Sequence, residues 1–173
     1  MRAAIITIGT ELTDGRIVDT NTAFMARDLE RRGVRVALAL TVPDAGAAIG
    51  RALTYALGSE VALLVIAGGL GPTQDDITAA AVAEALGLEI ELSTRAASMV
   101  ARAVDLDPAA LLPHQVKQSL LPSGAQPLAP SGTAPGFVIM SLGVPVVCLP
   151  GGPWEITSMG EGPLSAEQVA VGA

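Results

Sequence analysis

"VALLVIAGGLGPTQDDIT", residues 61–78, joins six apolar residues to a turn with three glycines, a proline and two adjacent aspartates. A short apolar run without polar interruption reads as a strand buried on both faces. The alanine-rich "AAAVAEALG" that follows reads as a helix, with its expected span at 75–86. Strand, glycine turn and helix in this order are the unit of a parallel α/β sheet.

The same unit recurs upstream. "AAIITI" (3–8) is a β-branched strand that ends at Gly9. "NTAFMARDLERRG" (21–33) has helical spacing of Phe24, Met25 and Leu29, with Gly33 as C-cap. "VRVALALTV" (34–42) is a second strand, and "DAGAAIGRALTYALG" (44–58) a second helix opened by Asp44 as N-cap. Downstream come "LEIEL" (88–92) and a helix near 94–104, after which the pattern loosens. A proline-rich segment (105–136) follows, ordered only in pieces, with a short helix around 115–119. "FVIMS", the tight "LG" turn and "VPVVCLP" (137–150) read as a hairpin, so one strand runs antiparallel. The expectation is an α/β fold: a mostly parallel mixed sheet with helices on both faces, in a domain over 1–160 with a loose tail at 161–173.

At 173 residues the chain suffices for one domain with a real core. Half the residues are hydrophobic but only 2% are aromatic, so Val, Ile, Leu and Ala must build that core. The net charge of −7, with no basic block, argues against nucleic acid or an anionic membrane as partner. Cys148 alone cannot form an internal disulfide, and its place in "VPVVCLP" predicts inert burial. No apolar run reaches the roughly 18 residues that a bilayer requires, and the N-terminus lacks the pattern of a signal peptide. A soluble, cytoplasmic protein is expected.

Loops that leave the C-terminal strand ends of a parallel sheet share one edge, where ligands bind in open α/β folds. Here these are "GTELTDGRIVDTN" (9–21), "PDAG" (43–46), "GGLGPTQDD" (68–76) and "PGGPWE" (150–155), joined by "PSGTAPG" (130–136) ahead of the antiparallel strand. Each residue has a plain structural reading. Thr73 and Asp76 have capping-box spacing, Asp44 and Asn21 are ordinary N-caps, and the glycines are turn formers. Caps alone do not account for Asp75 beside Asp76, with Asp44 on the neighbouring loop. Carboxylates converging on exposed amides make sense with a hard cation between them, which takes one or two carboxylates plus phosphate oxygens and water. Backbone N–H groups of Gly68, Gly69 and Gly71 can approach phosphate without lysine.

Better-known phosphate loops do not fit. A Walker A loop ends in Gly-Lys-Ser/Thr, whereas this turn ends in Pro-Thr-Gln, and Gln74 stands where G-x-G-x-x-G needs its third glycine. His114, the only histidine, cannot build a multi-histidine zinc site.

"GTELTDGRIVDTN", "GGLGPTQDDIT", "KQSLLPSGA", "GTAPGF" and "LPGGPWEITSM" resemble, in content and order, the N-terminal domain of the competence/damage-inducible CinA family. That domain belongs to the molybdopterin-binding superfamily of MogA and MoaB type proteins. The resemblance covers roughly residues 3–159 and implies a three-layer α/β/α fold. In the molybdenum-cofactor relatives, two aspartates matching Asp44 and Asp76 serve metal-assisted adenylyl transfer to molybdopterin. Asp75 takes the place where those relatives usually carry arginine. CinA-type domains are associated instead with metal-dependent hydrolysis of ADP-ribose and similar pyrophosphates.

The resemblance also implies ligand contacts for Glu11, Asn21, Thr73, Thr78, Lys117, Ser131, Gly132, Thr133, Gly136, Pro150 and Gly151. The C-terminal amidohydrolase domain of many family members is not encoded in these 173 residues. The family's terminal motif usually reads on into a further helix, whereas this chain becomes "GEGPLSA" after Met159, so a stand-alone or shortened member with an incomplete last covering layer is an expectation. The leading expectation is a pyrophosphatase using Mg²⁺, Mn²⁺ or Co²⁺ held by Asp44, Asp75 and Asp76. The alternatives are a pterin-phosphate site, binding molybdopterin or transferring adenylyl, and a non-catalytic scaffold. A homo-oligomer is expected, as in relatives.

Overall fold

The computed structural model describes residues 1–152. The sequence readings at 153–159, in the tail at 161–173 and for the sheet's last covering layer lie outside the described residues. In chain order the elements are β1 (Arg2–Ile8), α1 (Thr10–Thr13), α2 (Thr20–Arg31), β2 (Arg35–Val42), α3 (Gly46–Leu57), β3 (Leu63–Ala67) and α4 (Thr78–Leu86). Then come β4 (Ile90–Leu92), α5 (Thr94–Ala103), a 3₁₀ turn (Pro108–Ala110), α6 (Pro113–Lys117), β5 (Leu120–Pro122), β6 (Gln126–Leu128), β7 (Gly136–Ser141) and β8 (Val144–Leu149).

Among the described residues the main sheet has six strands in the order β2-β1-β3-β8-β7-β6. The first four run parallel, whereas β7 lies antiparallel to β8 and to β6. The expected hairpin is therefore present. Its turn holds Leu142 and Gly143 at φ of 52° and 78°, the double positive φ that matches strand twist.

Strand alternation sorts the core into two layers, one per face of the sheet. Ile6, Leu64, Ile66 and Cys148 pack with Ile49 and Leu53 of α3 and Val82 of α4. Their neighbours Ile5, Leu63, Val65 and Val147 point the other way, onto Met25 and Leu29 of α2. Every residue of β3 is buried, as a central strand covered on both faces requires. Cys148 is fully buried, and that burial pushes its thiol far above the usual range, which keeps it inert.

Several local expectations are corrected. The residue flanking α3 is Ala45, with no side-chain cap, because the Asp44 carboxylate is occupied elsewhere. Asp19, not Asn21, caps α2 by accepting from the Thr22 N–H at 3.0 Å. Helix α4 begins at Thr78, so Asp75 and Asp76 lie in the loop before it and not in its first turn. The segment at 105–136 also holds two strands that its prolines conceal. Strand β5 pairs with β4 in a separate two-stranded sheet, and β6 extends the main sheet beyond β7.

Candidate active site at the strand-end cleft

The β1–α2–β2 and β3–α4 connections leave adjacent parallel strands toward opposite faces of the sheet. Such a switch point opens a crevice at the carboxyl ends of the strands. Its floor is a meeting of backbones. Gly68 has φ 113°, and a Cβ there would overlap the carbonyl oxygen of Ile8. At Gly69, φ 67°, a Cβ would overlap the Thr78 hydroxyl, while one at Gly151 would lie 3.2 Å from Gly68 Cα. The ends of β1, β3 and β8 thus approach more closely than side chains permit. Thr78, fully buried, closes the turn: its hydroxyl donates to the Gly68 carbonyl at 2.8 Å and its N–H to the Gly69 carbonyl at 3.0 Å. These glycines are demanded by packing, whatever ligand their amides also serve.

The carboxylates sit above this floor. Asp44 Oδ2 accepts from the Thr10 N–H at 2.7 Å and the Thr10 hydroxyl at 3.0 Å, tying the loop after β2 to the start of α1. Asp76 Oδ2 accepts from the Thr73 N–H at 2.8 Å and the Thr73 hydroxyl at 2.6 Å. The Thr73–Asp76 spacing therefore makes its bond but starts no helix. Gly71 leaves room for that carboxylate, since a Cβ would stand 2.7 Å from Asp76 Oδ2. Asp75 is exposed.

A cleft of about 970 Å³ brings these groups together. Of the residues expected from sequence, Asp44, Asp75, Asp76, Glu11 and Asn21 line it, with Gly68, Gly69, Gly71, Thr133, Pro150 and Gly151. Asn21 Nδ2 donates to the Gly151 carbonyl at 2.9 Å, which pins α2 to the end of β8. Thr73, Thr78, Lys117, Ser131, Gly132 and Gly136 are not among the lining residues. Thr78 instead supports the floor, and Gly136 opens β7 opposite Leu128. The Lys117 ammonium donates to the Thr73 carbonyl, and its side chain lines a separate cavity of about 90 Å³ behind the glycine turn. Lys117 therefore braces the Asp76 loop from outside the cleft.

The cleft also contains residues that the sequence reading passed over: Thr10, Arg16, Ile17, Val18, Asp19 and Gln118. Asp19 Oδ2 accepts from the hydroxyls of Thr22 at 2.6 Å, Thr7 at 2.7 Å and Thr41 at 3.3 Å. Partial burial works to raise its pKa. The Thr22 hydroxyl and N–H, with Thr7 and Thr41, outweigh it and hold the carboxyl below the usual range. Its position just before α2 was the available signal, since an aspartate there is a ready N-cap.

Among the described residues no group of three or more His, Cys, Asp or Glu side chains is arranged to hold a metal ion. The described residues thus offer no ready all-protein cage. Its oxygen donors suit a hard cation that keeps waters and takes further oxygens from a phosphate ligand. One oxygen each of Asp44 and Asp76 is engaged by Thr10 and Thr73, which orients the carboxylates and leaves the other oxygen available.

Comparison with known proteins agrees with this architecture. The family described as "Probable molybdopterin binding domain" matches residues 4–165. A CinA-like protein of Geobacter sp. (strain M21) is 44% identical over 160 residues, which cover 92% of this chain and 38% of that protein. A protein of Aeropyrum pernix is 41% identical, covering 92% of this chain and 60% of its own length. The chain thus spans less than two thirds of the length of these relatives. The crystal structure of the protein CinA with unknown function from Thermoplasma acidophilum superposes with a TM-score of 0.88 at 32% identity, covering 98% of this chain and 99% of that one. The molybdopterin biosynthesis enzyme MoaB from Thermus thermophilus shares the fold, with a TM-score of 0.68 at 20% identity, covering 99% and 95% of the two chains. No helix among the described residues is long and apolar enough to cross a membrane.

Proposed function

The chain belongs to the molybdopterin-binding-domain family, in its CinA-like group, and from that premise we propose that the strand-end cleft hydrolyses nucleotide pyrophosphates such as ADP-ribose with a divalent metal ion. The observation that carries this reading is one cleft lined both by a glycine turn and by Asp44, Asp75 and Asp76. In the reaction water adds to one phosphorus and the P–O–P bridge breaks, so ADP-ribose yields AMP and ribose 5-phosphate. The N–H groups of Gly69 and Gly71 would face the phosphate oxygens, whereas that of Gly68, expected from sequence to do the same, already donates to the Leu149 carbonyl at 3.0 Å.

Asp44, Asp75 and Asp76 would hold Mg²⁺, Mn²⁺ or Co²⁺. Such an ion, when bound, polarises a phosphoryl oxygen and makes water more acidic. Thr10 and Thr73 fix the orientations of Asp44 and Asp76, Asn21 joins the cleft wall to Gly151, and Lys117 holds the Asp76 loop from behind. An acidic chain accepts an anion here because the metal offsets the local repulsion.

The test is AMP release from ADP-ribose by the purified chain with each metal, beside an EDTA control and Asp76→Asn. Metal-dependent release that disappears in Asp76→Asn supports the reading, and a folded protein that releases nothing with every metal overturns it. The family description favours a second reading, a pterin-phosphate site with binding or adenylyl-transfer activity. Molybdopterin-dependent consumption of ATP is its distinguishing result. A folded chain with neither activity and no affinity for either ligand is a scaffold.

A further inference from the structure

Ile17 and Val18 are 57% and 80% exposed, yet both line the 970 Å³ cleft alongside its polar groups. Large apolar side chains so exposed usually need no account when scattered singly. These two are adjacent, and they are pinned from both ends. On one side Gly15 turns the chain at φ 73°, and the N–H groups of Arg16 and Ile17 both donate to the Glu11 carbonyl, at 3.0 and 3.1 Å. On the other side Asp19 is tied to Thr7, Thr22 and Thr41. Both side chains are β-branched, so each has a restricted χ1 and loses little freedom when something packs against it. A fixed apolar ledge at the rim of a polar cleft fits a ligand with one apolar part.

We infer that the Ile17–Val18 ledge receives the flat heteroaromatic ring of the ligand whose phosphates reach the glycine turn and carboxylates, and so selects for ring-bearing phosphates. The inference rests on the proposed reading only in taking the cleft's ligand to be a phosphate-bearing small molecule. Volume supports it. The cleft lies at the upper end of the roughly 300–1,000 Å³ range of small-molecule sites, far more than a phosphate or sugar phosphate fills. Among the described residues no aromatic side chain lines the cleft, so the face of a ring can find its apolar contact on aliphatic residues such as these. The specificity is for the class, a planar ring joined to phosphate, and not for one particular base.

The experiment is equilibrium binding of AMP and of ribose 5-phosphate in Mn²⁺ to the wild type, Ile17→Ser and Val18→Ser. The wild type should bind AMP at least about tenfold more tightly than ribose 5-phosphate. Each variant should lose about fivefold to tenfold in affinity for AMP, the scale of one or two buried methylene-sized contacts, and less than about twofold for ribose 5-phosphate. Equal wild-type affinities, no detectable AMP binding, or equal losses for both ligands overturn the inference. So does AMP affinity that stays intact while the variants shift from oligomer to monomer in sizing, which would make the ledge an interface between copies. Binding is read without turnover, so a chain that prefers AMP but leaves ADP-ribose uncleaved keeps the ledge and loses the hydrolase.

Discussion

The ends and the middle of residues 67–78 are shaped by different forces. Gly68 and Thr78, at its two ends, are buried and locked to each other, and Gly68 lies against the end of β1. Pro72 to Asp75 between them are exposed, and Asp76 is half-buried, its carboxylate held among the described residues by Thr73. The ends are fixed by how closely three strands must meet, and the middle is free of that constraint. A glycine-rich loop can therefore look like a ligand signature while most of its glycines satisfy packing.

That contrast predicts a graded series in stability. Gly68→Ala should have the largest effect, because it needs positive φ and drives a Cβ into the Ile8 carbonyl. We expect a loss of about 3 kcal/mol or more, or failure to fold, read from urea unfolding. Near-wild-type stability of that variant would break the packing account of the turn. Thr78→Val keeps the shape but removes the buried bond to Gly68, and should cost about 1–3 kcal/mol in the same measurement.

Asp19 should show a pH signature. Its folded pKa lies below the ordinary 3.8, so its contribution is fully present above that value and is lost as pH falls through the lower folded value. The gap in urea midpoint between wild type and Asp19→Asn should accordingly be open at pH 7 and close progressively below 3.8. A gap constant down to the most acid pH at which both fold would remove the carboxylate charge from the account. The smallest stability change belongs to the middle of the turn. Asp76→Asn should alter unfolding by less than about 0.5 kcal/mol. It should nevertheless reduce metal-dependent hydrolysis at least about 100-fold, since even supporting groups around a metal cost 10–100-fold.

The sheet was legible because its strands carry continuous or alternating apolar runs, and the hairpin because a two-residue turn separates two of them. The caps were harder. Asp44 stands where an N-cap could stand, but Thr10, 34 positions earlier, claims its carboxylate. No local pattern carries that information. Asn21 lost the cap to Asp19 for a nearer reason, since α2 begins one residue before it. The start of α4 is set by Thr78 reaching back to Gly68 and Gly69, so the acids fall outside the helix. Strands β5 and β6 have three residues each and include Pro122 and Pro127, so their identity comes from distant partners and not from their own pattern. Convergence of the loops on one edge followed from topology alone. Which side chains face the cleft did not, and Lys117 is the plainest case.

The central proposal is that Asp44, Asp75 and Asp76 hold a cation only once phosphate oxygens complete its coordination. Its most direct test is Mn²⁺ binding by electron paramagnetic resonance, with and without a non-hydrolysable ADP-ribose analogue, in the wild type and in Asp44→Asn. The account predicts weak Mn²⁺ binding alone, at least about tenfold tighter binding with the analogue, and loss of that enhancement in the variant. Mn²⁺ bound equally well with and without the analogue, or an enhancement unchanged in Asp44→Asn, would contradict it.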